Sequence, residues 1–368
     1  MKEGGSAMFT AIARLGIVAV ALLLVGSISV PAKEPEEIWK DLSKLSGDER
    51  QRLLVSKAEA EGEVVWYTSL NAELFEPLKQ DFEKRHPGIQ ARIWRGRGEG
   101  VAQRVLTEAR AGKYSVDVIS AANEYSAALI KADLIGRYNS PERKFYLDDH
   151  KDREGFWTSV ADVLAVIAYN TRLVPKAEAP TKYEDFLNLK WKGNFAIDTN
   201  PDRAVMGWLK AWGSEKTERF LQGLIKNGAA IRSGHPLITQ LLCAGEFHAA
   251  IELYVFQIID FRQKGCPIEM VFPNPTPGGV SPLGVAKRSP HPHAAAVFVD
   301  YLLSESSQRI LLEKHLHSGR SGNEIKDPDL DLGNLQKRGI RTVLLNPHDV
   351  EQLGKPYLDL RTRYLLNR

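Results

Sequence analysis

Short apolar runs alternate with amphipathic stretches along most of the chain. In the clearest unit, Glu63 to Gly100, the runs Val64 to Tyr67 and Ile89 to Trp94 enclose a segment with Leu74, Leu78 and Phe82 at helical spacing, which predicts strand, helix, strand. Small or polar residues follow each run: Thr68 and Ser69 after the first, Gly96, Gly98 and Gly100 after the second. Helix N-terminal amides are therefore expected to gather at one edge of a sheet, a natural place to hold a ligand. Val101, Val105, Leu106 and Ala109 continue as a helix that stops at Gly112, Val116 to Ser120 reads as a third, buried strand, and helix signals run from Glu124 to Ile135. Upstream, Ile38, Trp39, Leu42, Leu45, Leu53, Leu54 and Val55 mark helices covering one side of this sheet. Strands alternating with helices predict a parallel sheet covered on both faces. The polar stretch Asn139 to Glu154 reads as an exposed excursion.

The rhythm changes at Val163 to Tyr169, a longer apolar run followed by a Pro-rich connector from Thr171 to Pro180. A second series follows: a strand at Phe195 to Ile197, the loop Asp198 to Arg203, a helix carrying Trp208 and Trp212 in its core face, a strand ending at Ile231, the turn Arg232 to Pro236, a helix from Leu237 to Ala244 and a strand ending near Tyr254. Phe272 to Lys287, rich in Pro and Gly, reads as an irregular extended connector back to the first sheet, before helices at Ala294 to Leu303 and Ser307 to His315 and a strand at Thr342 to Leu345. Asn346 is placed to cap a last helix with Pro347 at its first position. A chain that leaves one α/β lobe, builds another and returns crosses between them twice, which predicts a hinge and a cleft.

Composition changes this picture little. The 368 residues suffice for two lobes with buried cores, and a net charge of +3 gives no argument for nucleic-acid binding. The N-terminus is more informative: Lys2 and Arg14 precede the uncharged run Leu15 to Ala32, which ends in small residues, the order of a secretory signal peptide over residues 1–32. Its retention as an anchor would make the protein a membrane-bound sensor domain. Cys243 and Cys266 are the only cysteines; their spacing supports neither a zinc site nor a disulfide-rich scaffold, and two separate buried thiols are the plainer reading beside a single disulfide in an oxidising compartment.

The segments EGEVVWYTS, HPGIQARIWRG, GEGVAQRVLTEARAG, VDVIS, AVIAYNTRLVP and AGEFHAAIE, in this order after a signal peptide, resemble the periplasmic solute-binding proteins of ABC importers, in the branch that includes ferric-iron-binding proteins. The resemblance runs from Glu34 to Leu366. It implies an α/β, two-lobed periplasmic binding protein of type II, a Venus flytrap whose two crossover strands form the hinge, with lobe 1 at 33–168 and 277–368 and lobe 2 at 169–276. It also implies a monomer that captures a solute and delivers it to an ABC permease in the inner membrane, with no cofactor and no catalysis. An enzyme on the same scaffold is the reading of another class; no GxSxG elbow, HExxH helix or paired carboxylates at catalytic spacing favour it.

The family's contacts, carried to this chain, are the loops Tyr67, Thr68 and Ser69; Arg95, Gly96, Arg97 and Gly98; Ala121 to Asn123; Asp198, Thr199, Asn200 and Arg203; Ser233 and Gly234; and Glu252 and Tyr254. Iron-binding members use tyrosine phenolates, often an adjacent pair, and such hard oxygen donors suit ferric iron. Here Tyr254 stands alone between Leu253 and Val255, so an iron site would need Tyr254, Glu252 and Tyr67. Arg95, Arg97, Arg203 and Arg232 near the expected cleft favour a small organic or phosphorylated anion instead. The pairs His291 with His293 and His315 with His317 read as ordinary helix-end residues.

Overall fold

In a computed structural model of the chain, residues 33–366 are described. The expected signal segment, residues 1–32, lies outside them. Among the described residues no helix is long and apolar enough to cross a membrane.

In order, the elements are α1 (Pro35–Leu42), α2 (Gly47–Glu61), β1 (Glu63–Thr68), α3 (Ala72–Arg85), β2 (Gln90–Arg95), α4 (Gly98–Arg110), β3 (Val118–Ser120), α5 (Asn123–Lys131), β4 (Ile135–Gly136) and β5 (Thr158–Asn170). Then come β6 (Phe195–Asp198), α6 (Asp202–Trp212), α7 (Ser214–Lys226), β7 (Ala230–Arg232), α8 (His235–Ala244), β8 (Ala249–Tyr254), α9 (Val255–Gln263) and β9 (Ile268–Val271). The last are β10 (Thr276–Ala286), α10 (Pro292–Leu303), α11 (Glu305–Glu313), α12 (Leu332–Lys337), β11 (Thr342–Leu345) and α13 (Pro347–Arg361).

The opening unit folds as expected: β1 pairs in parallel with β2 and with β3. Alternation along β1 sends Val64 and Trp66 to one face, against Phe82 and Phe298, and Tyr67 to the other, among Val101, Val105 and Ile119. The strands of this half are joined in the order β2-β1-β3-β10-β5, and the sheet continues through β8-β6-β7. In the second part β6 runs parallel to β7 and β8. Its core holds Tyr183, Trp208 and Phe220, and Trp208 stacks on Trp212, so the i, i+4 tryptophans pack internally.

β5 is the strand on which both parts hang. Its first seven residues pair with β10 and those from Ala165 onward pair with β8 and β9. It is buried along nearly its whole length, as the continuous apolar run requires.

Three expectations about the elements need correction. Phe272 to Lys287 is not an irregular connector: β10 occupies the centre of the sheet, antiparallel to β3, β4 and β5 and parallel to β11. Pro282 is tolerated because it sits at a register shift opposite Ser159, where a ladder donor is dispensable. The helix expected to reach Ile135 ends at Lys131, and Ile135 opens a short strand on β10. The polar excursion before β5 buries Arg143 and His150, whose charges are met by Thr158, Asp149 and Asp162 rather than by solvent.

The cysteines pair. Cys243, near the end of α8, is joined to Cys266, at the entry to β9, so the reading of two separate thiols is overturned: the helix packs beside the loop and the two Cα atoms stand 5.4 Å apart.

Candidate functional site

β6, β7 and β8 end at one edge of the sheet, and the helices that follow β6 and β7 begin there. Asp198, at the end of β6, accepts the Asn200 amide at 2.8 Å on one oxygen and the Gly234 amide at 2.9 Å on the other. Gly234 adopts φ +98°, which lets the chain turn directly into α8 and places His235 at that helix's first position. The His235 ring stacks on Tyr254 with centroids 4.3 Å apart, its Nδ1 3.5 Å from Asp198 and its Nε2 3.7 Å from Glu252.

Glu252 is fully buried, and its backbone takes the left-handed conformation, φ +65°, rare for a residue with a Cβ. The pairing of β8 with β5 shifts register here. The kink turns the carboxylate toward the start of α6, where Oε1 accepts the Ala204 amide at 2.9 Å. Oε2 is buried with no hydrogen-bond partner. Burial pushes the Glu252 carboxyl up to about 7, with His235 and the Ala204 amide working against that rise. Burial disfavours charge on His235, but Glu252 and Asp198 outweigh it and hold the imidazole pKa above its ordinary value.

Arg203, in the first turn of α6, donates from Nη1 to the Tyr254 hydroxyl at 2.7 Å and lies over the Tyr254 ring. Burial raises the Tyr254 phenol well above its usual pKa, while the guanidinium acts to lower it. Tyr254 also stacks on Phe256, and together with His235, Gln257, Asp260 and Asn71 these residues line a cleft of about 730 Å³. Asn71 belongs to the first half, where it caps α3, so this cleft lies between the two halves of the sheet.

The structure thus gathers Asp198, Arg203, Gly234, Glu252 and Tyr254. The Thr199 hydroxyl donates to Asp198 at 3.3 Å, while the Thr199 carbonyl accepts from Arg361 and the Asn200 side chain accepts from Tyr357, both on α13. Ser233 is exposed beside them. In the first half, Thr68 bonds Ser120 and the Ser69 amide bonds the Ser120 carbonyl, which ties β1 to β3 at their ends. Arg95 and Arg97 are exposed, and Gly98 lies so close to the Tyr125 ring that a Cβ would come within 2.6 Å of it.

Two proposed contributors are not brought in. Tyr67 faces α4: its hydroxyl donates to Glu108, Arg104 covers its ring, and burial with Glu108 pushes the phenol up to about 12. Arg232 pairs with Glu246 at the surface. Of the four arginines only Arg203 sits in the group around Tyr254, so the argument for an anion from a cluster of arginines rests on one residue. Sequence reading missed His235, whose signal was its place directly after Ser233 and Gly234 at a strand end. Among the described residues, no three His, Cys, Asp or Glu side chains converge as a metal-holding group. Of the paired histidines, His291 bonds Asp117 and His293 bonds Glu61 at the start of α10, His317 is buried against the Asp329 carbonyl, and His315 lines the cleft.

The model of the bacterial extracellular solute-binding protein family matches residues 78–318. The chain belongs to this family. Members bind small solutes outside the cytoplasm, and the fold is the two-lobed type II periplasmic binding fold. Solved structures that carry it include iron-bound HitA from Pseudomonas aeruginosa, with TM-score 0.71 and 22% identity over 83% of this chain and 99% of that one, and the Trichodesmium protein IdiA with iron and citrate, with TM-score 0.69 and 19% identity over 82% and 99%. AfuA from Actinobacillus pleuropneumoniae, with fructose-6-phosphate bound, has TM-score 0.65 and 19% identity over 82% and 99%. Among curated proteins, iron uptake protein A1 of Synechocystis is 26% identical over 241 residues, 61% of this chain and 58% of that protein. Iron uptake protein A2 of the same organism is 26% identical over 179 residues, 44% of this chain and 51% of that protein. The chain therefore aligns with little more than half the length of these curated relatives.

Proposed function

We propose that this family member is the receptor of an ABC importer and that its cargo is ferric iron, held at Tyr254 in the interlobe cleft and passed to an inner-membrane permease after secretion. The observation that carries the reading is the Tyr254 phenol on the wall of the cleft beside the buried Glu252 carboxylate, with Arg203 bonded to its oxygen. The guanidinium on the phenol oxygen offsets part of what burial costs the phenolate, and phenolate with carboxylate is a donor set that suits a hard trivalent ion. The names of the curated relatives support the same cargo. Tyr254 lacks an adjacent tyrosine and Tyr67 is engaged elsewhere, so the remaining donors would come from Glu252, His235 and an exogenous anion.

Arg203 favours a second reading, a small carboxylate or phosphate as the cargo itself. The lobe limits 33–168 with 277–368 and 169–276, and the monomeric state, belong to the same proposal. The test is titration of the purified mature chain with ferric iron: a phenolate-to-iron absorption band in the visible range should appear and be lost in Tyr254→Phe. Saturable binding of a phosphorylated or carboxylate solute with no such band, abolished in Arg203→Ala, would transfer the assignment to the second reading. Chemical turnover of the solute would remove the receptor role.

A further inference from the structure

The end of α11 breaks a local rule. The Leu316 amide donates to the Leu311 carbonyl at 3.1 Å and the His315 amide to the Leu312 carbonyl at 2.9 Å, the paired bonds that close a helix where the chain turns left-handed. Glycine is the usual residue there, and α2 and α8 end on Gly62 and Gly245 in that conformation. α11 instead places His315 at φ +63°, a strained backbone for a residue with a Cβ. The ring gains reach from this placement: the Gln263 side-chain amide donates to its Nε2 at 3.2 Å.

The two residues belong to different halves. α11 is part of the first, where Leu311 packs in one cluster with Leu78 and Phe82 of α3 and Gln308 donates to the Val160 carbonyl of β5 at 2.9 Å. Gln263 is the last residue of α9, which runs between β8 and β9 in the second half and has Tyr254 as its N-terminal cap. On their buried sides, Leu312 of α11 and Ile258 of α9 share one apolar cluster with Val166 of β5, the strand on which both halves hang. On the solvent side the seam is closed by Gln263 and His315, and both line the cleft together with Tyr254.

We infer that the bond between Gln263 and His315 is a brace across the hinge: it forms only while α9 and α11 lie side by side, so it favours the halves held together and breaks as the cleft opens. Tyr254 stands at one end of α9 and the brace at the other, so fixing Gln263 fixes the helix that carries the ligand residue. His315 touches neither cargo nor Tyr254 in this role; it is a positioning residue acting through Gln263. A strained histidine stands where glycine would close the helix more easily because glycine has no side chain to cross the seam. The inference deepens the receptor reading above and rests on motion about β5, not on which solute is carried.

His315→Gly relieves the backbone and removes the ring, so stability and function should part. The unfolding midpoint in denaturant should hold or rise. Release of ferric iron, loaded as its nitrilotriacetate complex and followed by the phenolate band, should quicken roughly threefold, the worth of one exposed hydrogen bond. Gln263→Ala should quicken release equally and the double variant no further, because both substitutions remove the same bond. A residue kept only to close its helix would leave release unchanged in His315→Gly; that result, or effects that add in the double variant, overturns the brace. Should the wild-type chain take up no iron, the cargo assignment falls and the brace is read without cargo, from spin labels at the exposed positions Lys84→Cys on α3 and Lys226→Cys on α7. Their separation gains a longer component in both His315→Gly and Gln263→Ala if the brace is real, and keeps the wild-type distribution in both if it is not.

Discussion

At the scale of single residues, Glu252 concentrates the unusual chemistry. It combines a left-handed backbone, complete burial and a carboxylate oxygen without a partner. Its pKa of about 7 against an ordinary 4.5 means the folded chain holds this proton more tightly than the unfolded chain. Stability from this group is therefore fully present below about pH 4.5 and is lost as pH rises toward 7, by on the order of 3 kcal/mol in all. Glu252→Gln keeps the acceptor for the Ala204 amide and removes the titration. Its unfolding midpoint should exceed that of the wild type at pH 8, with the gap closing toward pH 5; a gap unchanged between those values would show that Glu252 does not titrate in this range. Tyr254 and Glu252 entered as candidates through the family resemblance, which places contacts at the end of β8. His235 was hidden, since a histidine at the first position of a helix is indistinguishable from a surface residue until the ring is seen against Tyr254.

At the scale of elements, the chain's periodicity gave β1, α3, β2 and the capped α13 directly: Asn346 accepts from the Asp349 amide, and Pro347 stands at the first helical position, as local rules require. β10 was misread because its prolines and glycines are those of a loop, and only its neighbours explain them. A Cβ at Gly278 would lie 2.6 Å from Leu164 and 2.8 Å from the Val163 carbonyl, so the close approach of β5 and β10 dictates glycine there. Gly278→Ala should lower stability by about 1–3 kcal/mol in denaturant titration, because the backbone oxygen cannot move aside as a side chain can. An unchanged midpoint would mean that the crossover strands are not held in this register. The disulfide closes 23 residues between α8 and β9. Replacing both cysteines by serine should cost on the order of 3 kcal/mol relative to the oxidised chain, and reductant should shift the wild type alone; equal midpoints for oxidised wild type and variant would place the bond outside the folded structure's stabilising contacts.

At the scale of the whole molecule, two bodies of sheet join at β5, which pairs with β10 on one side of the join and with β8 and β9 on the other, and the cleft opens where β8 ends and α3 begins. Loading with ferric iron should draw these bodies together, read as a smaller radius of gyration in solution scattering, and Arg203→Ala should diminish the contraction; a wild-type chain whose dimensions are unchanged on loading would remove hinge closure from the account. The sequence by itself determined the alternation of strands and helices, the departure and return between two lobes and the loops at which side chains collect, because periodicity, caps and strand ends are local properties of neighbouring residues. Tertiary structure alone decided which of those loops converge. It turned Tyr67 toward α4, left three of four arginines at the surface, set His235 on Tyr254 and paired the cysteines. These outcomes depend on strand register and on which face each helix covers, relations between residues separated by whole elements of the chain, and no local pattern carries that information.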